Sequence, residues 1–64
     1  MLKFKEFCGY GDNSEEAIEN TINDANTFIL NRGIEKSSIV GCNVQIEEIR
    51  VGYNARIVLT YWGS

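Results

Sequence analysis

The side chain that most often moves protons in enzymes is missing here: the 64 residues contain no histidine. An acid–base centre would then need carboxylates, lysine, tyrosine or cysteine. Glu47 and Glu48 are neighbours in a strand-like run, so they point to opposite faces and make a poor acid–base pair. Cys8 and Cys42 lie in separate strand-like runs. A thiol becomes a nucleophile beside a cation or a helix N-terminus. Both cysteines are expected on the core face, where a buried thiol is inert. Two lone cysteines without C-x-x-C spacing do not make a zinc site. The expectation is a chain that is not an enzyme and holds no metal and no cofactor.

The remaining chemistry is recognition. Tyr10, Tyr53, Tyr61 and Trp62 supply rings on which a planar base or flavin can stack. Lys3, Lys5, Arg50 and Arg56 supply counter-charges for phosphate. The amides of Asn43 and Gln45 can read a ring edge. Tyr61 is expected in the core. The expected ligand set is therefore Trp62 and Tyr53 for stacking, Arg56, Lys3 and Lys5 for phosphate, and Gln45 and Asn43 for the ring edge. Gly9-Tyr10-Gly11 reads as a turn feeding a helix. Such a turn can offer amides to a phosphate. It lacks G-x-G-x-x-G and Gly-Lys-Ser/Thr, and Asp12, Glu15 and Glu16 would repel an anion. Capping of the helix is the better reading.

Four elements must position these groups. Residues 2–8 form a strand with Leu2, Phe4 and Cys8 on one side and Lys3, Lys5 and Phe7 on the other. A helix is predicted over about 14–32, with Ile18, Ile22, Ala25 and Ile29 as an apolar stripe widened by Ala17, Thr21 and Phe28. Asn13 with Glu16, or Asp12 with Glu15, has capping-box spacing, and Gly33 supplies a stop. Residues 34–38 connect to a second strand over 39–50. There Val40, Cys42, Val44 and Ile46 alternate with Gly41, Asn43, Gln45 and Glu47. The alternation slips at Glu47 and Glu48, which predicts a β-bulge. A turn over 51–54 leads to a last strand over 55–62. The predicted fold is α+β: a two-layer β-α-β-β domain over 1–64, with one helix on a three-stranded antiparallel sheet whose third strand is central.

One helix covers one face of such a sheet. The other face is expected to carry Lys3, Lys5, Phe7, Asn43, Gln45, Glu47, Arg56, Val58, Thr60 and Trp62. Apolar groups rimmed by polar ones mark an interface or a ligand site. Phe7, Val58 and Trp62 are the expected contacts between copies. Both outer strands also lack proline, so edge pairing between copies is a second route to assembly. Association answers a problem of size. A chain this short buries about 60% of its unfolded surface, and small domains lean on a disulfide, a metal or a partner. No apolar leader precedes the first strand, so the cytoplasm, where thiols stay reduced, is the expected compartment. The apolar content of 44% supports a homo-oligomer. A net charge of −3 argues against duplex nucleic acid and against an anionic membrane surface.

The length and the β-α-β-β order resemble dodecins, flavin-storing proteins that assemble into hollow shells. That resemblance implies flavin stacking on a tryptophan of the second strand, whereas the tryptophan of this chain is Trp62, in the last strand. In size and acidity the chain also resembles small phage-encoded proteins, some of which are oligomeric sponges for cyclic-nucleotide immune signals. This implies aromatic stacking with lysine and arginine from neighbouring copies, in a host cytoplasm. A further similarity is to short sporulation-associated proteins of Bacillus relatives. The functional expectation is a non-enzymatic homo-oligomer that sequesters a small planar anionic ligand such as a nucleotide. The alternatives are a module that docks a partner protein and a dodecin-like flavin store.

Overall fold

A computed structural model describes residues 1–63. Its elements are β1 (Leu2–Gly11), α1 (Ser14–Arg32), a 3-10 turn (Lys36–Ser38), β2 (Ile39–Glu48) and β3 (Tyr53–Trp62). The sheet has three strands in the order β1-β3-β2, and both pairings are antiparallel. The predicted architecture is therefore the one observed, with the most apolar strand in the centre. Alternation on β3 explains this placement. Ala55, Ile57, Leu59 and Tyr61 are all buried under the helix, and a strand with neighbours on both sides buries that face most completely.

The ends of α1 follow local rules. Asn13 is extended at φ −136, and its Oδ1 accepts the Glu16 N–H at 2.8 Å. This satisfies one of the donors that a helix start leaves free. Gly33 closes the helix at φ 64, a left-handed conformation that glycine adopts without a Cβ penalty. Its N–H donates to the Leu30 carbonyl at 3.2 Å, and that of Ile34 donates to the Ile29 carbonyl at 3.1 Å. Those two bonds are the Schellman pattern.

The face that α1 buries differs from the predicted stripe. Ala17, Thr21 and Ala25 are buried, while Ile22 is exposed. Glycines on β1 cause this. A Cβ at Gly11 would lie 2.3 Å from the Ala17 nitrogen, and one at Gly9 would lie 2.3 Å from Thr21 Oγ1. The helix backbone rests on these two glycines, and only small side chains fit in the seam. Gly9-Tyr10-Gly11 is thus the end of a strand and a seat for the helix, not a turn. Asn20 Nδ2 donates to the Tyr10 carbonyl at 2.8 Å and holds one flank of α1 over β1. Ile18, Ile22 and Ile29 lie on the opposite flank by helical spacing, toward β2.

The register reverses the expected faces of β1. Lys3, Lys5 and Phe7 pair with Tyr61, Leu59 and Ile57, so they lie on the helix side. The Phe7 ring meets Phe28 edge-on at 5.4 Å between centroids, and Phe28 meets Tyr61 at 5.9 Å. Lys5 Nζ lies 5.8 Å from the Phe28 ring centre, so its apolar stem covers the layer while its charge stays wet. Leu2, Phe4 and Cys8 pair with Trp62, Thr60 and Arg56 and so share the uncovered face. Cys8 is consequently exposed rather than buried. Cys42 pairs with Leu59 on the helix side but is exposed too, because α1 lies over β1 and β3 and leaves β2 overhanging. The two thiols are free and lie on opposite faces of the sheet.

Two smaller expectations also change. The irregularity of β2 falls between Ile39 and Gly41, not at Glu47 and Glu48, and the ladder runs unbroken through Glu48. The hairpin loop is 49–52, so Tyr53 and Asn54 already belong to β3. Gly52 turns the loop at φ 99; a Cβ there would also strike Tyr10 Oη at 2.5 Å and the Gly11 carbonyl at 2.6 Å.

Candidate functional site on the open sheet face

The face away from α1 combines three rows. β1 contributes Leu2, Phe4, Glu6, Cys8 and Tyr10; β3 contributes Trp62, Thr60, Val58, Arg56 and Asn54; β2 contributes Gly41, Asn43, Gln45 and Glu47. The rows sort by character along the strands. One end is apolar, with Leu2, Phe4, Val58 and Trp62. Phe4 is 68% exposed and Trp62 is 56% exposed. The other end is polar and holds an open trough of about 750 Å³. Cys8, Tyr10, Gln45, Glu47, Asn54 and Arg56 line it.

Arg56 is the centre of the trough. It stands on the middle strand, with Cys8 on one side and Gln45 on the other. Its Nη2 donates to Gln45 Oε1, a neutral acceptor. The amide orients the guanidinium without cancelling its charge, and the remaining donors of the fork are available to a ligand. Tyr10 is fixed at the rim because its hydroxyl donates to the Val51 carbonyl at 2.6 Å. Asn54 adds an amide beside Tyr10, and Glu47 adds a carboxylate at the far rim. The Cys8 thiol points to Glu6 Oε1 at 3.6 Å.

The sequence-predicted set is divided by this geometry. Arg56 and Gln45 meet in the trough, and Asn43 is on the same face, one pleat along from Gln45. Trp62 shares the face, but six residues separate it from Arg56, which at strand spacing is about 20 Å. One small ligand does not touch both within a chain. Trp62 instead borders a smaller recess of about 300 Å³ with Lys3, Arg32, Glu35 and Ser38. There the two cations are opposed by Glu35 and by the carbonyl end of α1, which carries partial negative charge. Lys5 and Phe7 face the helix layer. Tyr53 is on the helix side as well, paired with Gly11 and Glu48. Its hydroxyl donates to Glu48 Oε2 at 3.2 Å. That hydrogen bond, together with the carboxylate's charge, raises the pKa of Tyr53 above the ordinary value of 10.0.

Of the side chains that line the trough, Cys8, Tyr10, Glu47 and Asn54 are absent from the expected ligand set. The parity of β1 contains the missing signal. Extending the strand through Gly9 and Gly11 places Tyr10 in line with Cys8 and beside Asn54. Reading the glycines as a turn removes it. Among the described residues no group of three or more His, Cys, Asp or Glu side chains is placed to hold a metal ion, and no helix is long and apolar enough to cross a membrane. Compared with known proteins, the chain matches no family model, no curated protein and no solved structure.

Proposed function

We propose that this protein is a non-enzymatic, homo-oligomeric binding protein of the cytoplasm that sequesters a small planar anionic ligand, a nucleotide foremost, on the open face of its sheet. The observation that carries the reading is the Arg56–Gln45 pair at the centre of the trough. A guanidinium held by a neutral amide suits a phosphate or another anion. Tyr10 offers a ring and the amide of Asn54 an edge-reading group, within a volume typical of small-ligand sites, with the Asn43 amide one pleat along the same face. In this reading stacking moves from Trp62 and Tyr53 to Tyr10. Trp62 joins Leu2, Phe4 and Val58 in an apolar patch suited to contact between copies.

Calorimetric titration with cyclic nucleotides, linear mononucleotides and flavins tests the ligand. The expected result is binding by at least one nucleotide, weakened ten-fold or more by Arg56→Ala and by Tyr10→Ala, with little change for Tyr53→Phe. A flat titration with every nucleotide rejects the nucleotide reading, and binding of flavin alone moves it to dodecin-like storage. A second reading, docking of a partner protein, rests on the exposed Phe4 and Trp62. Partner capture that Trp62→Ala abolishes, in a chain with flat titrations, favours it.

A further inference from the structure

β2 carries two unfilled capacities on one strand. Its inner edge is hydrogen-bonded to β3, and its outer edge has no neighbouring strand among the described residues. Its helix-side residues are also uncovered: Val44 is 45% exposed and Ile46 is 40% exposed, with Cys42 exposed beside them. By helical spacing Ile18, Ile22 and Ile29 of α1 fall on the flank nearer this strip, and none of them is buried.

The charges around β2 select an occupant. Ile39–Ile46 contains no charged residue; Glu35 and Lys36 precede it, and Glu47, Glu48 and Arg50 follow it. β1, the other edge, bears Lys3, Lys5 and Glu6, and charges of that kind discourage edge pairing. We infer that β2 is the edge through which two copies of this chain associate, β2 against β2 and antiparallel, about a twofold axis perpendicular to the sheet. The antiparallel sense sets neutral run on neutral run. It also keeps the Glu47–Glu48 ends of the two copies at opposite ends of the seam, each against a neutral stretch of the other strand. A parallel sense would stack carboxylate on carboxylate.

The axis keeps the helix side of one copy level with the helix side of the next. Centred on Val44, it sets Val44 opposite Val44 of the second copy and Cys42 opposite Ile46. The two exposed apolar strips become one floor between two helices, flanked by Ile18 and Ile22 of each. The three-stranded sheets join into a single sheet of twice that width. This inference rests on the oligomeric part of the reading above and adds an interface distinct from the Trp62 patch; it does not depend on the ligand.

Native mass spectrometry and sedimentation test it with two variants. Val44→Lys places two like charges against each other at the axis. It is expected to halve the mass of the assembly while the far-ultraviolet circular dichroism stays unchanged. Val44→Cys, with Cys8→Ser and Cys42→Ser, is expected to oxidise to a covalent dimer, because directly opposed residues of antiparallel strands lie within disulfide reach. Should Val44→Lys unfold the chain, the cross-link decides. An oligomer that Val44→Lys leaves intact and Val44→Cys fails to cross-link overturns the β2 pairing but not oligomerisation. A wild-type chain that is monomeric throughout overturns both.

Discussion

β1 and β2 are both ten-residue edge strands on the same central strand, yet only β1 is integrated into the core. β1 pairs with β3 along its whole length and carries the helix on Gly9 and Gly11. Its ladder continues past the strand ends, where the Gly63 N–H donates to the Met1 carbonyl at 2.8 Å. β2 is paired as fully from Gly41 onward, but α1 barely touches it and both its faces stay exposed. Hydrogen bonding is therefore not what separates the two edges. Helix coverage does, and coverage follows from where the backbone of α1 can approach the sheet.

The sharpest way to break this contrast is to put the same side chain on a glycine of each edge. Gly11→Val drives a branched side chain into the Ala17 backbone. In a chain of marginal stability it is expected to abolish the cooperative thermal melt. Gly41→Val meets nothing within 4 Å, and its melt is expected to match wild type or rise, since a β-branched residue suits a strand better than glycine. Equal effects at the two sites would refute the helix seat on β1.

A smaller effect separates a covered isoleucine from an uncovered one. Ile57 is 1% exposed at the centre of β3, and Ile57→Ala is expected to cost about 3 kcal/mol in urea unfolding. Ile46→Ala on the helix side of β2 removes a side chain that the single chain leaves half in water. About 1 kcal/mol is expected at low protein concentration. A loss at Ile46 that matches the one at Ile57 would mean that β2 is covered after all.

The smallest effect concerns the tie between β2 and β3 at the hairpin. The Glu48 carboxylate favours the neutral phenol of Tyr53, whose folded pKa is raised. The stabilisation is therefore fully present below the ordinary phenol value and is lost as pH rises through the higher folded value. In ultraviolet titration Tyr53 is expected to ionise above 10.0. Glu48→Gln is expected to bring it back down. No change on that substitution would remove Glu48 as the cause.

The candidate site was half legible before folding. Arg56 and Gln45 emerge from residue type and alternation, and they meet as neighbours on adjacent strands. Tyr10 counts among the candidate rings in the sequence, but its place on the strand is hidden because Gly9 and Gly11 resemble a turn when seen as a tripeptide. Hydropathy puts Lys3, Lys5 and Phe7 on the open face because it favours Leu2, Phe4 and Cys8 as core. Hydropathy gives no credit to a glycine, although two glycines are what admit the helix. A lysine stem lying along Phe28 is equally invisible to a scale that counts Lys5 as polar.

By itself the sequence determined the order of elements, a helix start at Asp12 or Asn13 and its stop at Gly33, and β3 as the centre of the sheet. Each follows from a local signal: alternation, a cap residue or a stop, all acting within a few residues. Only the tertiary structure decided which face of β1 the helix covers and that β2 is left overhanging. Those outcomes depend on how closely two backbones approach and on the register between strands distant in the chain, which no window along the sequence contains.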